Sequence, residues 1–178
     1  MGQQKFEYQG RIAWGITGAG HFLHQCLDIL KELKAVDVFI SRAGREVLRS
    51  YGLLESLTAT GHRLYWDHTG ASRPVTGLYR GYYRLVVIAP ATSNSVAKMA
   101  WGIADSLVTN LFAHAGKCRV PVIILPTDMP GEEVSVAPGG IRVQLLPRPI
   151  DVGNISRLAT WPGVTIAPNP LDLKNLVL

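Results

Sequence analysis

The chain has 178 residues, 47% of them hydrophobic and 17% charged, with 18 glycines and 11 prolines. That length suits one domain spanning residues 1–178, large enough to bury a sufficient core without disulfides or metals, and the composition excludes a disordered or fibrous chain. The formal charge of +5 suits an anionic ligand.

Arg42, Arg45, Arg49, Arg63, Arg73, Arg80 and Arg84 supply that positive field or simply form a solvated surface. A nucleic-acid partner is not expected, because a dense basic stripe interleaved with aromatics is missing. Cys26 and Cys118 lie far apart without metal-ligand spacing, so reduced thiols and no metal site are expected. No apolar run approaches the ~18 residues needed to span a bilayer, and the polar start Met1-Gly2-Gln3-Gln4-Lys5 is unlike a secretory leader, which predicts a cytoplasmic protein without a membrane partner.

The first element is the apolar run Arg11 to Ile16, which reads as a strand. It ends at Thr17-Gly18-Ala19-Gly20, after which apolar residues from Phe22 to Leu33 recur at helical spacing. Val36 to Ile40 predicts a second strand, and Arg45 to Tyr51, closed by Gly52, a second helix. Between Leu53 and Tyr83 only His62 to Trp66 reads as a strand, the rest as connection. Arg84 to Ala89 is a continuous β-branched run of the kind buried on both faces.

From Ser93 to Ala115 the apolar spacing predicts helix, broken near Gly102. Val120 to Leu125 is another buried strand, and the last third, with Ile141 to Leu146 and Val164 to Ala167, adds one or two strands and a short helix. Strands alternating with helices imply a parallel sheet covered on both faces, with ligands outside the carboxyl ends of the strands.

Three loops after strands therefore carry the interest. Thr17-Gly18-Ala19-Gly20 lacks the full dinucleotide fingerprint and a Walker lysine, yet its small residues allow an anion to approach backbone amides. The bland alternative is a glycine turn needed for packing. Ser41-Arg42-Ala43-Gly44 offers a hydroxyl and a guanidinium, or a helix N-cap. Pro90-Ala91-Thr92-Ser93-Asn94-Ser95 places three hydroxyls and an amide directly after a buried strand, more than a cap requires.

The run from Pro90 through Gly102-Ile103-Ala104-Asp105-Ser106-Leu107 to Asn110 resembles the Pro-Ala-Ser-Ala-Asn-Thr and Gly-Ile-Ala-Asp-Asn-Leu segments of the homo-oligomeric flavin-containing cysteine decarboxylase superfamily. The opening Gly15-Ile16-Thr17-Gly18-Ala19-Gly20-His21 and the Ser41 loop are similar to that superfamily's first two flavin loops. The resemblance covers residues 11 to 126 and implies a three-layer flavodoxin-like (Rossmann-like) α/β sandwich with a central parallel sheet. It also implies FMN, often held between subunits of a homotrimer or an assembly of trimers.

Carried over residue by residue, Thr17, Gly18, Ala19 and His21 would line the phosphate and ribityl region. Ser41 and Arg42 would contribute from the second loop, and Pro90, Ala91, Thr92, Ser93 and Asn94 would hold the phosphate and the isoalloxazine edge. Asp105 matches the acidic residue of the motif's second half, with a helix cap or an interhelical acceptor equally open.

The superfamily's decarboxylases carry a Pro-Ala-Met-Asn clamp where this chain has Leu125-Pro126-Thr127-Asp128-Met129-Pro130-Gly131, and His68 in Tyr65-Trp66-Asp67-His68-Thr69-Gly70 matches their basic histidine only in approximate position. The opening glycine loop and Ile-Leu-Pro-Thr-Asp are more similar to the archaeoflavoprotein and dihydromethanopterin reductase branch. That likeness implies an oxidoreductase whose FMN takes electrons from a separate donor (reduced flavin, a ferredoxin-like protein or an NAD(P)H system) and passes hydride to a dihydropterin. Proton candidates are His21, His68 and Asp128, each with an ordinary structural role as the alternative. An electron carrier without a small substrate, a flavin-dependent decarboxylase and a prenyl-FMN synthase-like transferase remain the competing readings.

Overall fold

The computed structural model describes residues 10–68, 73–131 and 133–178. The polar start at residues 1–5, Thr69 and Gly70 beside His68, and the side chain of Arg73 lie outside the described residues. Strands β1 (Arg11–Ile16) and β2 (Val36–Ile40) flank helix α1 (Leu23–Glu32). Helices α2 (Arg42–Ser50) and α3 (Leu54–Thr58) precede β3 (Arg63–Trp66), and a 3-10 turn (Arg73–Gly77) leads into β4 (Tyr83–Ala91). There follow α4 (Ser93–Ala100), α5 (Leu107–Cys118), β5 (Val122–Pro126), β6 (Glu133–Val136), β7 (Arg142–Leu145), α6 (Pro149–Ala159), β8 (Val164–Ile166) and α7 (Pro170–Val177).

Among the described residues a six-stranded sheet runs in the order β3-β2-β1-β4-β5-β8. Every pairing within it is parallel, from Ile12 opposite Val36 through Val86 opposite Val122 to Ile123 opposite Thr165. The expected three-layer sandwich is the observed one, with the strand order of its Rossmann-like variant. Chain direction across the sheet reverses between β1 and β4, which makes the carboxyl ends of those two strands the switch point where such sheets hold ligands.

Alternation along the strands divides the core. Ile12, Trp14, Ile16, Val38, Ile40 and Val87 face α1, α2, α3 and α7, while Ala13, Phe39, Val86, Ile88 and Ile124 face α5 and α6. Burying these two apolar faces at about 25 cal/mol per Å² is the main force holding the layers together. Gly15 sets one spacing: a Cβ there would meet Val108 Cγ1 at 2.9 Å, so its absence lets α5 lie directly on β1.

The segment from 53 to 83 contains α3 and the 3-10 turn, which periodicity could not separate from connection. The helix over Ser93 to Ala115 breaks into α4 and α5, as the glycine predicted, with Gly102 at φ 73. In the last third β7 and β8 fall on the expected Ile141 to Leu146 and Val164 to Ala167, while β6, which pairs with β7 in a separate antiparallel hairpin, and a second helix go beyond the one or two strands and short helix expected. No helix among the described residues is long and apolar enough to cross a membrane. Both cysteines are free, Cys26 buried and Cys118 half-buried, and burial pushes both thiols above their ordinary pKa.

Candidate functional site

Thr17 is the link between the loops after β1 and β4. Its hydroxyl donates to Pro90 O at 2.8 Å and accepts the Thr92 N–H at 2.9 Å, while its own N–H donates to Pro90 O at 3.3 Å. The hydroxyl is buried, so these bonds satisfy groups that water cannot reach. Thr92 then caps α4, accepting the Ser95 N–H at 3.2 Å and donating to Ser95 Oγ at 3.0 Å. The polar density of this loop thus has two uses, a helix cap from Thr92 and Ser95, and Ser93 left lining the cavity beside it.

The second loop packs against the first. Ser41 caps α2 by accepting the Gly44 N–H at 3.0 Å, the helix-cap reading of that hydroxyl. A Cβ on Gly44 would lie 2.8 Å from Ile16 O, and one on Gly18 would lie 2.6 Å from Ala43 Cβ. The glycines at these two positions let the loops touch backbone to backbone. Arg42 is exposed on α2, and Arg45 lies over the Trp66 ring at 5.2 Å.

The loop after β5 completes the rim. Thr127 N–H donates to Ala91 O at 3.0 Å, and its hydroxyl donates to Asp128 Oδ2 at 2.7 Å, which fixes the carboxylate at the mouth. On the opposite side the chain enters α1 through Phe22 in the left-handed conformation, φ 63, with the His21 and Phe22 rings 3.7 Å apart. A bulky residue rarely adopts that backbone, and such outliers gather at binding sites.

These parts enclose a cavity of about 320 Å³ lined by Ala19, Gly20, His21, Thr92, Ser93, Thr127 and Asp128, with Tyr51 and the hairpin residues Ser135, Ala137, Val143 and Leu145 as its outer wall. Tyr51 holds that wall, its hydroxyl donating to Val136 O at 3.0 Å. A second cavity of about 370 Å³ adjoins it, lined by Gly20, His21, Phe22, His24, Gln25 and Val134 to Val136, so that His21 borders both.

Of the residues singled out in the sequence, Ala19, His21, Thr92, Ser93 and Asp128 meet in the first cavity. Thr17, Gly18, Pro90 and Ala91 build its floor from behind, and Asn94 is exposed one residue further into α4. Asp105 stands apart, exposed and bound to Lys98 Nζ at 2.7 Å, which holds its carboxyl below the usual range. His68 is exposed beyond β3 and lines neither cavity. Ile141 to Leu146, expected to add a strand, contains β7; Tyr51 as a wall residue, β6 and the pairing of the two strands went unread, although Val134-Ser135-Val136 and the turn Ala137-Pro138-Gly139-Gly140 stand just before it.

The donor set suits a phosphorylated flat ring: small residues at the switch point, a helix N-terminus at Ser93, hydroxyls, and neither a Walker lysine nor a metal cluster among the described residues. That combination of sheet order and loops defines an α/β flavin-binding protein. The chain belongs to the Flavoprotein family, whose model matches residues 3–177.

It is similar to the dihydromethanopterin reductase (acceptor) of Methanosarcina mazei, 44% identical over 144 residues covering 74% of this chain and 60% of that protein. The enzyme of the same name from Methanocaldococcus jannaschii is 41% identical over 70% of this chain and 56% of its own length. This chain therefore spans somewhat over half of either reductase. Among solved structures, Burkholderia xenovorans DmrB in complex with FMN, described as a cubic protein cage for redox transfer, superposes with TM-score 0.87 at 38% identity over 96% of this chain and 94% of that one.

Proposed function

We propose that this protein is an FMN-dependent reductase of a dihydropterin, such as dihydromethanopterin, fed by a separate electron donor. The observation that carries the reading is the pair of adjoining cavities sharing His21 at the switch point of a flavoprotein sheet. The likeness to DmrB with FMN along nearly the whole chain, and to two dihydromethanopterin reductases along most of it, supports the same reading.

FMN fits the first cavity. Ala19 and Gly20 give the cavity small lining residues, and Thr92, Ser93 and the first turn of α4 offer donors to a phosphate. When bound, FMN supplies hydride chemistry that protein side chains lack. The chain's own residues orient and protonate. Ser93 and the amides beside it bind the anionic end, and Asp128, pinned by Thr127, stands at the mouth as a fixed acceptor.

His21 borders the space left for the pterin and is the group placed to hand it a proton as hydride arrives. The hairpin, tethered through Tyr51, forms the outer wall of both cavities. Assembly into trimers or a larger cage is part of the proposal, and the exposed Val134, Val136, Ile141 and Val143 of the hairpin offer an apolar surface for it.

The test is turnover. Purified protein supplied with FMN, a reduced flavin or ferredoxin donor and dihydromethanopterin should form the tetrahydro product. Flavin that is reduced without consuming the pterin would favour an electron carrier, and consumption of an isoprenyl phosphate would favour a transferase.

A further inference from the structure

A further cavity lies at the other end of the sheet. It has a volume of about 680 Å³ and is lined by Arg11, Asp37, Arg63, Tyr65, Arg80 and Tyr82 among others. Arg11 and Arg63 open β1 and β3 and Asp37 is the second residue of β2, so in a parallel sheet they share the amino edge. The six-residue β1 separates this edge from the flavin loops by roughly 17–20 Å, at about 3.3 Å per residue. A ligand here cannot exchange hydride with the flavin site.

Charge in this cavity is unbalanced. Asp37 is buried and satisfied, bound to Arg11 Nη2 and accepting the Tyr83 hydroxyl at 2.7 Å. Among the described residues Arg63 donates to the neutral Tyr65 hydroxyl, at 3.4 Å, and meets Asp37 only through space, while Arg80 forms no ion pair. Among the described residues, two guanidiniums therefore face a cavity whose one carboxylate is already bound to Arg11 and Tyr83. The remaining wall is Pro74, Thr76 and Gly77 with the rings of Tyr65 and Tyr82; Tyr65 packs tilted on Phe39 at 5.0 Å, and the buried Tyr83 lies behind, edge-on to the same ring at 5.9 Å, so the wall is held rigidly.

We infer that this cavity is a second ligand site, for a nucleoside phosphate: Arg63 and Arg80 take the phosphate and the tyrosine rings take the flat base. Guanidinium forks match phosphate oxygens, aromatic faces suit a planar ring, and the volume is that of a small-molecule pocket. A ligand bound so far from the flavin regulates or tethers the protein without taking part in its chemistry.

The probe is AMP, titrated calorimetrically into full-length protein carrying its retained FMN, with flavin fluorescence followed to detect displacement. The expected result is saturable binding that leaves the flavin in place and weakens about tenfold in Arg63→Gln and again in Arg80→Gln. Pyrophosphate, lacking a ring, should bind more weakly than AMP. Both arginines have exposed or solvent-reaching ends, and an unchanged Tm verifies that the variants fold. Absence of saturable binding, AMP affinity indifferent to both substitutions, release of FMN by AMP, or pyrophosphate binding as tightly as AMP would each overturn the assignment. Because the readout is AMP affinity, it succeeds or fails independently of the pterin chemistry proposed above.

Discussion

Thr92 gives its backbone N–H to Thr17 Oγ1 at 2.9 Å, and the same hydroxyl donates to Pro90 O at 2.8 Å, so one buried side chain fastens together the two loops at the switch point of the sheet. Thr17→Val keeps the shape and removes both bonds, leaving the half-buried Thr92 N–H without this partner and Pro90 O with the Thr17 N–H alone. The expected cost is about 1–3 kcal/mol of stability, with FMN affinity falling by about tenfold. Thr17→Ser should restore most of both, as read by urea unfolding and flavin fluorescence titration.

Gly18→Ala brings a methyl to 2.6 Å from Ala43 Cβ, and neither neighbour is the free end of a long side chain. The loops must separate, so this variant should lose FMN binding while the sheet remains folded. Far-UV circular dichroism unchanged alongside a colourless purified protein is the expected pair of results.

Tyr51 acts on the hairpin. Tyr51→Phe deletes the bond to Val136 O, an exposed contact worth less than about 1 kcal/mol to global stability. Faster amide exchange in Val134 to Leu145, and a KM for the dihydropterin raised severalfold with kcat little changed, are the expected readouts. An equal loss of both parameters would place Tyr51 in the chemistry instead.

His21→Gln keeps a polar side chain and removes the proton, and the reduction rate, read at saturating FMN, should fall by about 10²-fold. Asp128→Asn retains the Thr127 contact in part and should cost less. His68→Gln, on the exposed loop beyond β3, should leave turnover as it is.

Much of this was legible in the sequence because burial writes a strong pattern. The parallel strands β1 and β2 carry apolar runs, interrupted in β2 by Asp37, and their ends, Arg11 and Ile16, Val36 and Ile40, are where the sequence placed them. The switch-point loops were legible through residue types rare after a buried strand, Thr17 to Gly20 and Pro90 to Asn94. The outer wall was legible only in part: Ile141 to Leu146 holds β7, but β6 and its pairing were missed, since these two strands pair only with each other and leave Val134 and Val143 exposed, with no buried face to mark them. Asp37 illustrates a different limit: a carboxylate in an apolar run is explained only by Arg11 and Tyr83, which lie 26 and 46 residues away in sequence.

Asp151 opens α6 in a two-bond fork with Arg148, at 2.8 and 2.9 Å. The guanidinium holds the carboxyl below its usual range, so the folded state binds this proton less readily than the unfolded chain does. Its stabilisation is therefore complete above the unfolded carboxyl pKa of about 3.9 and is lost as pH falls through the lower folded value. With Arg148 largely exposed, Asp151→Asn should cost about 1 kcal/mol at neutral pH and show a smaller stability loss on acidification than the wild type.

The central claim is that reduced flavin held by this chain passes hydride to a dihydropterin, and anaerobic stopped-flow absorbance tests it most directly. Protein reduced with one equivalent of dithionite is mixed with dihydromethanopterin while the oxidised flavin band is followed. The account predicts reoxidation in a single exponential whose rate saturates with pterin and falls in His21→Gln; flavin that stays reduced at every pterin concentration would contradict it.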